Sequence, residues 1–210
     1  MVLSRKRTLV APKDTMLIVT ASPTMAVYFS RVRKDCRYGN MTVELVNAKS
    51  ATELVKVAAR KRVAGKFAST WAVFGMTDFE EKVDMASLKK MGEDRKVRLA
   101  WTNPDLGLWL YLHIKELNVV VDSSESFTKA LEKVFPGYQC TAEYFSNEGQ
   151  DIHLRLFSSF SSAVLHADSY NKLSEKKYGI PATTFVDLYE DIKAVCGEAD
   201  LTHNQKLLAK

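Results

Sequence analysis

Apolar residues along the chain follow two alternating patterns. Short continuous runs, Met16–Val19 and Thr70–Phe74, read as strands covered on both faces. Between such runs, apolar residues recur at helical spacing. After Met16–Val19 come three small residues, Thr20, Ala21 and Ser22, which permit a tight turn. Pro23 suits the first turn of a helix, and Met25, Ala26, Phe29 and Val32 give that helix its apolar face. Tyr38-Gly39-Asn40 predicts its end near Cys36. A second strand is predicted over Met41–Ala48. Ser50–Glu53 has the spacing of a capping box and opens a helix with Leu54, Val55, Ala58 and Ala59 on one side and Gly65 as its stop. After the strand Thr70–Phe74, an amphipathic helix is predicted over Phe79–Arg95, a fourth strand over Val97–Trp101, and an apolar helix over Leu106–Ile114.

This order, βαβαβαβα with long connections, predicts the α/β class with parallel, right-handed crossovers. Residues 115–210 read as mainly helical, with helices over Ser124–Val134 (stopped by Pro136-Gly137), Asp151–Lys172 and Thr184–Val195. The expected organisation is a basic arm over 1–15, an α/β domain over 16–114 and a mainly helical region over 115–210. In such sheets ligands bind at the carboxyl ends of the strands, so Thr20–Ser22 should border any site.

Composition narrows the function classes. A 46% hydrophobic and 26% charged content is that of an ordinary globular protein. No apolar run approaches the roughly 20 residues that span a bilayer, and the basic start lacks a secretory pattern. A cytoplasmic protein without membrane contact is expected. Cys36, Cys140 and Cys196 are widely spaced and read as reduced thiols, and the four histidines have no zinc-site spacing. Charge is uneven. Residues 1–66 carry fourteen Lys and Arg against four acids, a net +10, which leaves −5 for the remainder of a chain of net +5. A basic half can hold a polyanion, dock an acidic partner or be a solvated face. Its candidate contacts are Arg5, Lys6 and Arg7 in the arm, and Lys56, Arg60, Lys61 and Arg62 on the second helix.

Several strings, taken in order, resemble the RloB family. They are the basic arm before Leu17-Ile18-Val19; Thr24, Tyr28 and Phe29; Trp71-Ala72-Val73-Phe74; Arg98–Ile114, RLAWTNPDLGLWLYLHI; and Pro181–Phe185 with Leu188. The resemblance implies a Toprim-like, mostly parallel sheet flanked by helices. It also implies a setting in bacterial phage resistance, with an ABC- or AAA-type ATPase or a nuclease subunit as partner. A Toprim site holds magnesium on a glutamate after the first strand and an Asp-x-Asp after the third. Here the first glutamate maps to Thr20 or Ala21, and a following one to Met25. The Asp-x-Asp maps to Gly75-Met76-Thr77, and an acid in the fourth helix to Gly107. None of these side chains carries charge, so no metal, cofactor or catalytic residue is expected.

Three functions remain open. The first is a non-catalytic defence component that binds a partner protein and RNA or DNA. The second is a magnesium- or manganese-dependent nuclease rebuilt on Asp78 and Asp105, with His113 as acid or phosphate contact. The third is a stand-alone nucleic-acid-binding module. Against the second, Asp78 and Asp105 each stand where a helix N-cap is wanted, and His113 suits a packed or capping role at a helix end.

Overall fold

In the computed structural model, residues 14–202 are described. Four strands, β1 (Met16–Thr20), β2 (Met41–Leu45), β3 (Ser69–Gly75) and β4 (Arg98–Thr102), form an all-parallel sheet in the order β2-β1-β3-β4. Ile18 sits opposite Val43 on one side and Trp71 on the other, so β1 is an interior strand. Helices α1 (Pro23–Asp35), α2 (Ala51–Gly65) and α3 (Met85–Arg95) make the crossovers, and α4 (Leu106–Leu112) follows β4.

Alternation along β1 divides the core. Met16 and Ile18 join α1, α4 and the helices that follow in one cluster, whereas Leu17 and Val19 join α2 and α3 in the other. All of these strand residues are buried, which is why the run carries no polar alternation. Beyond α4 lie α5 (Ser124–Glu132), α6 (Ala142–Ser146), α7 (Ile152–Arg155), α8 (Phe160–Tyr178) and α9 (Phe185–Cys196). They pack on the first face, and Trp109, Phe185, Leu188 and Tyr170 share its cluster with Phe29 and Trp71.

Four predicted boundaries are corrected. The second strand stops at Leu45 rather than Ala48, because β1 ends at Thr20 and its carbonyl makes the last cross-strand bond to the Val46 amide. The helix predicted from Phe79 begins at Met85. Phe79 packs against Phe74, and the Asp84 carboxylate, which accepts from the Ala86 and Ser87 amides, supplies the cap. The helix predicted over Asp151–Lys172 is broken by a 3-10 turn at Phe157–Ser159, because α7 packs on α1 while α8 packs on α4. The fourth helix ends at Leu112 with His113 as its C-cap. The short α6 was not predicted; Thr141, whose hydroxyl accepts from the Tyr144 amide, is its signal.

Candidate functional site

From β1 the chain crosses to β2 on one side and later to β3 on the other, so the order reverses between β1 and β3. The carboxyl ends of those strands are where an open α/β sheet leaves a crevice. Thr20 closes β1, is fully buried, and accepts the Ser22 amide on its own hydroxyl at 3.0 Å. This bond makes the tight turn expected of Thr20–Ser22. Ala21 is half-buried and Met25 lies in the core.

Glycines close the other two edges of the crevice. A Cβ on Gly75 would lie 3.1 Å from the Pro104 carbonyl oxygen and 3.2 Å from Asp105 Cα. A Cβ on Gly107 would lie 2.9 Å from Asp105 Oδ1 and 3.2 Å from Phe127 Cβ. Backbone at Gly75 and the Asp105 and Phe127 side chains at Gly107 thus crowd the space where a longer side chain would begin. Thr77 is exposed, and its hydroxyl donates to the Pro104 carbonyl at 3.2 Å.

The fold does bring Asp78 and Asp105 together at this edge. Asp78 Oδ2 accepts from the Gly75 amide at 2.6 Å, which anchors the 3-10 turn Met76–Asp78 rather than a helix at Phe79. Burial raises its carboxyl above the ordinary range; the Gly75 amide and the Ser22 hydroxyl oppose that shift and the Asp105 charge adds to it. Asp105 is the N-cap of α4, with Oδ1 accepting from the Gly107 amide at 2.8 Å. Each aspartate therefore has an oxygen engaged by the backbone.

Sequence reasoning missed two neighbours of these aspartates. The Cys140 thiol is pushed up to about 12, chiefly by burial and then by the Asp105 charge, so it stays protonated. The buried Tyr138 hydroxyl lies beside the Cys140 thiol without a hydrogen bond of good geometry, and burial drives its pKa far up. No spacing ties either residue to Asp78; the α4–α5 packing carries them there. A neutral thiol, a neutral phenol and two backbone-bound carboxylates do not fit magnesium, which takes a near-octahedral set of oxygens. Among the described residues, no three histidine, cysteine or acidic side chains gather as a metal-binding group.

His113 lies elsewhere. It is at the far end of α4 from Asp105, about 12 Å along the axis at 1.5 Å per residue. It is buried, with Nδ1 donating to the Trp109 carbonyl at 2.9 Å. Burial pushes its pKa down to about 4, so it is neutral at pH 7. It has no part in a site with the two aspartates.

The basic candidates also divide. Arg5, Lys6 and Arg7 lie outside the described residues. Lys56 and Arg60, both exposed, line an open groove with Arg95 of α3, a residue that sequence reasoning did not select. Lys61 instead pairs with Glu44 at 2.5 Å. Arg62 is half-buried, with Nε unpartnered. No helix among the described residues is long and apolar enough to cross a membrane. All three cysteines are free thiols.

Compared with known proteins, residues 16–192 match a family model described as RloB-like protein. No curated protein and no solved structure matches the chain.

Proposed function

The chain belongs to the RloB-like family, and from that premise we propose that it is a non-catalytic member, a binding component of a bacterial anti-phage defence system. It works in the cytoplasm by holding a partner protein, an ATPase of the ABC or AAA type or a nuclease subunit. The groove between α2 and α3, with Lys56, Arg60 and Arg95, is the surface best suited to RNA, DNA or an acidic partner face. It needs no metal cofactor.

One observation carries this reading. The positions that would supply metal-binding acids are Thr20 or Ala21, Met25, Gly75, Thr77 and Gly107; none carries a charge, and the two glycines have close neighbours where a side chain would begin. An inactive site gains from such a change, because clustered carboxylates repel one another and are costly to bury. The family's helices and core are kept while its chemistry is lost, as expected for a scaffold retained for its surfaces.

A second reading rests on the proximity of Asp78 and Asp105: a metal-dependent nuclease with a rebuilt site. Two carboxylates can hold a loosely bound magnesium bridged to substrate phosphate. Calorimetric titration of the purified chain with Mg²⁺ and Mn²⁺, beside the Asp78→Ala/Asp105→Ala variant, separates the two readings. The non-catalytic reading expects no saturable binding in either protein. Saturable binding lost in the variant would replace it with the nuclease reading.

A further inference from the structure

A cavity of about 300 Å³ opens on the α1–α9 side of the molecule, away from the strand ends. Tyr28, Tyr189, Phe160, His113 and His153 line it. Its walls are aromatic, with Phe160 and Tyr189 ring centroids 5.3 Å apart and Tyr28 edge-on to His153 at 6.3 Å. Lys193 and Glu198 also line it; both are exposed and paired at 2.8 Å, which places them at the opening.

Polar groups inside or beside this cavity are incompletely paired. The Tyr28 and Tyr189 hydroxyls are 3.0 Å apart, so one proton is used within the pair and the other remains to be donated. The Trp109 indole N–H, fully buried, lies close to both hydroxyls without a hydrogen bond of good geometry to either. His113 donates from Nδ1 to the Trp109 carbonyl, which leaves the lone pair of the neutral ring on Nε2. His153 is 7% exposed, and its Nε2, 3.1 Å from Asp35 Oδ2, has no hydrogen bond of good geometry. Buried donors and acceptors are seldom left in this state, so several around one aromatic cavity suggest that something else satisfies them.

We propose that this cavity binds an uncharged planar heteroaromatic of the nucleobase class. The walls favour a flat ring, which would stack or pack edge-on against the tyrosines and Phe160. The incompletely paired donors and acceptors favour a ring with both N–H and carbonyl or ring-nitrogen edges over a plain hydrocarbon. The volume is at the small end of the range for ligand pockets, which suits a free base or nucleoside rather than a dinucleotide. Charge is disfavoured because the interior offers neutral phenols and an imidazole, while the cation and anion at the opening are engaged with each other. This assignment is independent of whether the strand-end site is catalytic.

The test is calorimetry on the full chain with adenine, hypoxanthine, cytosine and uracil, with benzoate as a charged planar control and cyclohexanol as an uncharged non-planar one. At least one base should bind saturably. His113→Phe should weaken it on the order of tenfold, the factor for one lost hydrogen bond. Ser161→Trp, at an exposed position on the cavity lining, should obstruct the opening and weaken it at least as much without touching the core. Absence of binding by any base overturns the proposal. So does benzoate or cyclohexanol binding as tightly as the best base, or binding unchanged in Ser161→Trp.

Discussion

Two side chains show how single residues are set by what surrounds them. Asp191, on α9, accepts from Trp71 Nε1 at 2.7 Å and from Arg98 at 2.6 Å, and the Ser69 hydroxyl donates to it as well. Arg98 in turn lies over the Trp71 ring at 4.2 Å. Asp191→Ala leaves three donors unmatched and should lower stability by about 2–3 kcal/mol in chemical denaturation. His113 makes stability depend on pH. Its folded pKa of about 4 lies below the ordinary 6.5, so between those values the unfolded chain binds more protons. Its contribution is complete above pH 6.5 and lost as pH falls towards 4, amounting to about 3 kcal/mol. The raised Asp78 carboxyl acts in the opposite sense. The quantity to compare is therefore the difference between wild type and His113→Phe, which should shrink across that interval.

At the scale of elements, caps and close approaches decide boundaries that periodicity leaves loose. Ser50 accepts from the Glu53 amide at 3.2 Å, and Glu53 reaches back to the Lys49 amide at 2.8 Å, so the capping box read from Ser50–Glu53 forms with its return bond one residue early. α3 ends in a tight turn into β4, where a Cβ on Gly92 would lie 2.7 Å from the Val97 carbonyl oxygen. Alanine is the better helix former by about 1 kcal/mol, yet Gly92→Ala should destabilise by about 1–3 kcal/mol, because the oxygen it meets is backbone that cannot swing aside. A lower denaturation midpoint checks this; a higher one would mean that the turn relaxes freely.

For the whole molecule, the packing of helices places charges that the sequence keeps apart. Arg95 is 35 residues beyond Arg60 in sequence, yet α2–α3 packing sets it in the same groove as Lys56 and Arg60. If nucleic acid lies there, binding should weaken with salt as counterions are released. Lys56→Ala/Arg60→Ala/Arg95→Ala should then flatten the log–log salt slope by about 2 to 3. Filter binding of tRNA and single-stranded DNA at several salt concentrations measures it. An unchanged slope would exclude the groove as the contact.

By itself the sequence determined the α/β class, the four strands and their parallel sense, because continuous apolar runs and helical spacing are local properties of the chain. It also determined the family, through strings such as RLAWTNPDLGLWLYLHI, and the capping role of Asp105 beside Pro104. Tertiary structure decided the strand order and therefore where the crevice lies. It separated His113 from Asp78 and Asp105, split the basic candidates of α2 between a groove, an ion pair and a half-buried site, and brought Tyr138 and Cys140 to the strand ends. It alone built the aromatic cavity from α1, α4, α8 and α9. These outcomes depend on contacts between residues from 17 to 161 positions apart, and local pattern contains no information about which distant faces will meet.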